Sequence, residues 1–108
     1  MARALVNIPK EARRGETIEI KALIMHIMET GYRHSIDTGE AIPRDIINRF
    51  VCSFNGREVM SVDLSPAIAA NPFLSFFTVA RESGVFTLSW TGDDGKTQTE
   101  TARITVTG

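Results

Sequence analysis

The residues that could do chemistry in this 108-residue chain are one cysteine, Cys52, and two histidines, His26 and His34. Metal binding needs several ligands that converge on one point, and otherwise the chain offers only scattered carboxylates. Cys52 lies between Phe50 and Phe54 at every second position, so a strand would place its thiol on an apolar, buried face that raises the thiol pKa. We therefore expect Cys52 to pack in the core, with a nucleophile beside a histidine base as the less favoured alternative.

Other motifs also lack the spacing that catalysis or ligand binding requires. The run Asp93-Asp94-Gly95 is typical of a hairpin turn, because the spaced carboxylates and final glutamate of a calcium loop are missing. The glycines occur singly, without the spacing of a phosphate-binding loop or of a nucleophile elbow. An iron centre of the superoxide-reductase type needs four histidines and a cysteine, more than two histidines can provide. We expect no catalytic residue, no cofactor and no metal.

Charge and hydropathy exclude two classes of partner. Twelve Lys and Arg residues against 13 Asp and Glu give a net charge of -1, so no global field favours nucleic acid or an anionic membrane. The longest apolar runs are far shorter than the roughly 20 residues that cross a bilayer. The first ten residues lack the apolar stretch of a secretory signal, so we do not expect the chain to export itself by that route.

Apolar and polar residues alternate with period two along most of the sequence, as is typical of strands. Gly and Pro separate these segments at short intervals. The clearest strand alternates Phe86, Leu88 and Trp90 with Thr87 and Ser89. The pair Asn55-Gly56 predicts a type I′ hairpin turn. The sequence predicts one all-β domain over residues 1–108, an immunoglobulin-like β-sandwich of about seven antiparallel strands with Trp90 in its core.

An apolar surplus is the strongest functional signal. Residues 66–77 hold more large apolar side chains than one face of a small sheet can bury, which predicts a partner interface at Phe73, Leu74, Phe76 and Phe77. The alternative is a fully buried central strand. A polar excursion over residues 29–45 forms a second candidate, a docking loop with Tyr32, Arg33 and Arg44.

Taken together, several stretches resemble the SoxZ family of sulfur-oxidation proteins, in order and spacing over nearly the whole chain. They are Ile20-Lys21-Ala22-Leu23-Ile24 with His26, Met28-Glu29-Thr30-Gly31 with Arg33, Ile42-Pro43-Arg44, Ile46-Ile47-Asn48-Arg49-Phe50, Asn55-Gly56, Asn71-Pro72-Phe73, and Trp90 followed by Asp93-Asp94-Gly95.

The resemblance implies a non-catalytic scaffold and docking subunit of a heteromeric sulfur carrier in periplasmic thiosulfate oxidation. In that family the partner, SoxY, carries sulfur intermediates on the cysteine of its C-terminal arm, and this chain has no cysteine near its own last residue, Gly108. The resemblance also implies transient docking of the other sulfur-oxidation enzymes and export together with a signal-bearing partner. It makes Cys52 a candidate inter-subunit thiol. The alternative function is a stand-alone β-sandwich module that binds a protein or ligand.

Overall fold

A computed structural model describes residues 3–25, 34–41, 45–64 and 73–108 of the chain. Eight strands and no helix lie within these residues. In chain order the strands are β1 (Arg3–Asn7), β2 (Glu11–Arg13), β3 (Thr17–Met25), β4 (Ile47–Phe54), β5 (Arg57–Asp63), β6 (Phe73–Val79), β7 (Gly84–Gly92) and β8 (Thr97–Thr107).

The strands form two sheets, as the sequence predicts for an immunoglobulin-like sandwich. One sheet has three strands in the order β1-β3-β6, and the other has five in the order β2-β8-β7-β4-β5. Every pair within the sheets is antiparallel except β2 with β8, which is parallel. The all-β prediction is confirmed.

The core lies between the sheets and consists of the inward half of each alternating strand. Trp90 is almost completely buried and its ring lies 5.2 Å from that of Phe50. Phe54 and Phe86 form a second tilted pair with ring centroids 4.6 Å apart. Rings at these separations contribute attraction beyond the burial of their area. The prediction that Trp90 is a large core residue is confirmed.

The hairpin turn between β4 and β5 has the predicted conformation. Asn55 and Gly56 both have positive φ, at 50° and 84°. A type I′ turn requires positive φ at both central residues, and asparagine and glycine adopt it at the lowest cost.

The sequence predicts about seven strands, all antiparallel, but it does not predict β2, which is parallel to β8. β2 has only three residues, too few to show a periodic pattern, and it is held in place by the distant β8. The Thr105 N–H donates to the carbonyl of Lys10 at 2.9 Å, and the Arg14 N–H donates to the carbonyl of Thr107 at 2.8 Å. Local periodicity cannot predict a strand that forms only through pairing with a distant segment.

The two sheets are of unequal width. The ring of Phe76 on β6 lies 6.3 Å from the ring of Phe50 on β4, and β1 lies close to β8. The three strands of the smaller sheet therefore lie across β8, β7 and β4. In the described part of the chain, no strand of the smaller sheet faces β5.

Candidate partner-binding surface

β6 divides the predicted interface into two halves. Phe73 and Phe77 point outward and are 58% and 66% exposed. Leu74 and Phe76 point inward and pack on the core. Alternation along a strand causes this division, and it corrects the prediction of one four-residue interface. Leu74 and Phe76 stabilise the domain, whereas Phe73 and Phe77 are available to a partner.

Among the described strands β6 lies at an edge of its sheet, and its exposed Phe73 and Phe77 show that the alternative of a fully buried central strand is wrong. β3 pairs with it on one side over the register Thr17↔Val79 to Leu23↔Phe73. No strand in the described ranges pairs with it on the other side. Its outward side chains therefore lie on the outer face of the sheet, next to the side of β6 that no described strand covers.

An apolar row crosses the outer face of the three-stranded sheet. Leu5 on β1 is opposite Leu23 on β3, and Leu23 is opposite Phe73 on β6. Leu5 is 48% exposed and Leu23 is half-buried. A shallow groove of about 270 Å³ follows the row, with Asn7 and Lys21 on its polar side. The row extends the exposed apolar surface from the β6 edge across the whole sheet.

Polar contacts frame this apolar row. The hydroxyl of Ser75 donates to Oε2 of Glu19 at 2.7 Å, and Nζ of Lys21 lies 3.7 Å from Oε1 of the same carboxylate. Glu19 is also opposite Phe77 in the register. These neighbours neutralise one another, so the outer face presents apolar side chains without a strong net charge.

Sequence reasoning missed Leu5 and Leu23. Both lie in segments with the ordinary alternation of a strand, and neither segment has an unusual number of large apolar residues. Only the register of β1 on β3 and of β3 on β6 brings them into one row with Phe73. Periodicity within each strand could show that they face away from the core, but it could not show which strands are neighbours.

Cys52 lies in the core, as its spacing from Phe50 and Phe54 predicts. Its side chain is 0% exposed, and burial raises the pKa of the thiol from 9.0 to about 11. A protonated, buried thiol is a poor nucleophile. The domain would have to open around Cys52 before this residue could serve as an inter-subunit thiol.

The predicted docking residues Tyr32, Arg33 and Arg44 lie outside the described residues, as does His26. Of the same excursion, residues 34–41 are described, and His34 is exposed and forms an isolated bridge with Ala41. Within the described ranges, no group of three or more His, Cys, Asp or Glu residues is placed to hold a metal ion. The part of the chain that the structure describes also contains no helix that is long and apolar enough to cross a membrane.

Fold and surface together define an immunoglobulin-like β-sandwich with an exposed apolar sheet edge. More specifically, the sequence matches the family described as sulphur oxidation protein SoxZ over residues 6–103. This match covers most of the chain, and the chain belongs to the SoxZ family. No curated protein sequence matches it.

Solved structures show where else this fold occurs. The superoxide reductase (neelaredoxin) of Ignicoccus hospitalis is similar with a TM-score of 0.74 at 13% identity, over 96% of this chain and 80% of that chain. The sulfur carrier protein SoxY of Chlorobium limicola f thiosulfatophilum is similar with a TM-score of 0.68 at 13% identity, over 97% of this chain and 79% of that chain. The CARDB domain of a Pyrococcus furiosus protein is similar with a TM-score of 0.55 at 12% identity, over 99% of this chain and 88% of that chain. At these identities the likeness concerns the fold alone.

Proposed function

We propose that this chain is the non-catalytic scaffold subunit of a sulfur carrier and pairs with a SoxY-like subunit that bears the sulfur intermediates. Membership of the SoxZ family supports a role in sulfur oxidation. The observation that carries the pairing is the exposed apolar surface of β6, where Phe73 and Phe77 are more than half exposed. Large exposed apolar patches on small domains commonly mark protein interfaces.

Burial of this surface supplies a driving force for pairing. Transfer of each large apolar side chain from water to an interface contributes roughly 1.5 to 3 kcal/mol, and aromatic anchors are enriched among the residues that dominate binding energy. The thiol of Cys52 is buried and protonated, which makes it a poor carrier of sulfur intermediates. The sulfur chemistry is therefore assigned to the partner and to enzymes that dock transiently on the complex.

The experiment is to purify the chain alone and with the SoxY-like subunit of the same organism, and to measure mass by light scattering after size-exclusion chromatography. A stable one-to-one complex is the expected result. A chain that stays monomeric and does not bind that subunit would contradict the proposal and favour the stand-alone module, with the excursion over residues 29–45 as its binding loop.

The proposal includes a location. We propose that the chain works in the periplasm and crosses the inner membrane already folded against a signal-bearing partner, as membership of the SoxZ family suggests. The test is to fractionate cells with and without the partner gene. Presence of the chain in the periplasm only when the partner is made is expected, and its presence there without the partner would contradict co-export.

A further inference from the structure

Among the described residues, β6 pairs with β3 on one side only, and its other side, called here the free edge of β6, presents a row of backbone donors and acceptors. The Ala80 N–H donates to the carbonyl of Glu16 at 2.8 Å, just beyond the β3–β6 register, and this bond fixes the phase of the ladder. In an antiparallel pair every second residue bonds to the neighbouring strand, and the residues between point their N–H and C=O groups away. The groups that point to the free edge therefore belong to Phe73, Ser75, Phe77 and Val79.

The seven residues of β6 also lack the sequence features that protect an edge strand. Natural edges carry charged residues, proline, bulges or short strands, which prevent another chain from pairing with them. Among the edge strands of the described sheets, β1 has Arg3, β2 has Glu11 and Arg13, and β5 has Arg57 and two acidic residues. The seven residues of β6 include no charge, no proline and no glycine.

Within the part of the chain that the structure describes, an open slot lies beside this edge. β5 has no facing strand in the described part of the smaller sheet, so a strand added to β6 would lie across β5. A cavity of about 230 Å³ occupies part of that position. Val59 and Val79 line its sides, and Ile18, Phe54 and Phe86 are among its apolar lining residues.

The charges at the slot balance. Arg57 and Arg81 line the cavity together with Glu58 and Glu82, so the four contribute no net charge. All four are exposed. The surroundings therefore favour an occupant that is neutral and apolar along its length rather than an anion or a cation.

We propose that the partner subunit donates a β-strand to the free edge of β6, so that the three-stranded sheet becomes a four-stranded sheet that continues into the partner. This inference rests on the proposed function, because it specifies how the SoxY-like subunit is bound. An extended backbone can pair with the whole row of donors and acceptors at the edge, as in other cases of strand addition to a sheet.

The donated strand has a defined character. Its inward side chains fill the slot over β5 and are apolar, because Val59 and Phe54 line it. Its outward side chains become cross-strand neighbours of Phe73 and Phe77, which extends the apolar row Leu5–Leu23–Phe73 across the subunit boundary. The strand carries few charges, matching the charge-free β6.

Ser75 offers a matched pair of variants for the test. Ser75→Pro removes an N–H that points to the free edge, where proline is tolerated, and leaves the bonds of the neighbouring residues to β3 in place. Ser75→Ala also removes the hydroxyl that donates to Glu19 but keeps the N–H. Affinity for the SoxY-like subunit is measured by isothermal titration calorimetry, with circular dichroism to confirm folding. We expect Ser75→Pro to weaken binding at least about tenfold and Ser75→Ala to change it less than about threefold.

Amide hydrogen exchange in the wild-type chain gives a second readout that does not depend on whether Ser75→Pro folds. On complex formation, we expect exchange to slow at Phe73, Ser75, Phe77 and Val79. A complex in which these four amides exchange as in the free chain, or a folded Ser75→Pro that binds as tightly as the wild type, overturns strand addition while the pairing itself stands.

Two other results would also overturn the inference. If the wild-type chain forms no complex with the SoxY-like subunit, the proposed function fails and strand addition fails with it. If the β6 amides become protected in the chain alone as its concentration rises, and the partner adds no further protection, the occupant of the edge is a second copy of this chain.

Discussion

The side-chain amide of Asn55 occupies the space that a side chain on Gly84 would need. Oδ1 of Asn55 accepts the N–H of Val85 at 2.9 Å, and the Asn55 N–H donates to the carbonyl of Val85 at 3.0 Å. A Cβ atom on Gly84 would overlap this carboxamide. The hairpin turn between β4 and β5 is thereby fastened to the start of β7, beside the turn that follows β6.

This relationship predicts that Gly84→Ala destabilises the domain by about 1 to 3 kcal/mol, because the new methyl group must displace Asn55 from its bonds. The measurement is urea unfolding followed by tryptophan fluorescence. In an Asn55→Gly background, which suits the positive φ of 50° at this position, the same substitution should cost at least about 1 kcal/mol less. Equal costs in the two backgrounds would show that the overlap is relieved in another way.

Two hydrogen bonds to Asp93, called here the Asp93 clamp, join the turn between β7 and β8 to the residues at the beginning of β4. Oδ2 of Asp93 accepts the N–H of Ile46 at 3.2 Å, and Oδ1 accepts Nδ2 of Asn48 at 2.9 Å. Asp93→Ala leaves these part-buried donors without this acceptor, and we expect a loss of about 1 to 3 kcal/mol in the free energy of unfolding. Asp93→Asn keeps one acceptor oxygen and should lose less. A loss from Asp93→Ala no larger than that from the exposed Thr101→Ala would contradict the clamp.

The two faces of β6 predict opposite effects of similar substitutions. Phe76 packs against Phe50, so Phe76→Ala should destabilise the domain by about 3 kcal/mol or more through loss of burial and creation of a cavity. Phe77 is 66% exposed, so Phe77→Ala should change stability by less than about 1 kcal/mol. Urea unfolding of the unpaired chain compares the two. Similar losses for both variants would mean that the inward and outward assignment is wrong.

Burial of Cys52 predicts a specific pH dependence. In the unfolded chain the thiol loses its proton near pH 9, whereas in the folded chain burial raises its pKa to about 11. The contribution of the buried thiol to stability is therefore complete below pH 9, and it falls as the pH rises from 9 through 11. Cys52→Ala lowers stability below pH 9, where the contribution of the thiol is complete, and it lacks this decline. Unfolding of both proteins by urea across this range tests it, and identical pH profiles would contradict the shift.

Much of the fold can be predicted from the sequence because most of its strands can be recognised from a few consecutive residues. The alternation of Phe86, Leu88 and Trp90 and the turn pair Asn55-Gly56 each act over a few residues, so periodicity and turn chemistry suffice. β2 cannot be recognised in this way, because three residues show no period and the strand that it pairs with is almost a hundred positions away in the sequence.

The site could be predicted only in part for the same reason. Composition identified the apolar surplus of β6, and alternation alone separates Phe73 and Phe77 from Leu74 and Phe76. That β6 is an edge, that Leu5 and Leu23 continue its apolar face, and that β5 faces an open slot are properties of strand order. Strand order arises from contacts between distant segments, which no local pattern in one sequence encodes.

The most direct test of the partner-binding surface is the affinity of two charge variants for the SoxY-like subunit, measured by isothermal titration calorimetry. Phe77→Asp places a charge on the proposed surface, whereas Thr101→Asp places the same charge on the exposed outer face of the other sheet, opposite Thr87. We predict that Phe77→Asp weakens binding at least about a hundredfold, since a charge buried without a partner costs several kcal/mol, and that Thr101→Asp leaves binding within about threefold of wild type. Equal, undiminished binding by both variants would contradict the assignment of the partner surface to β6.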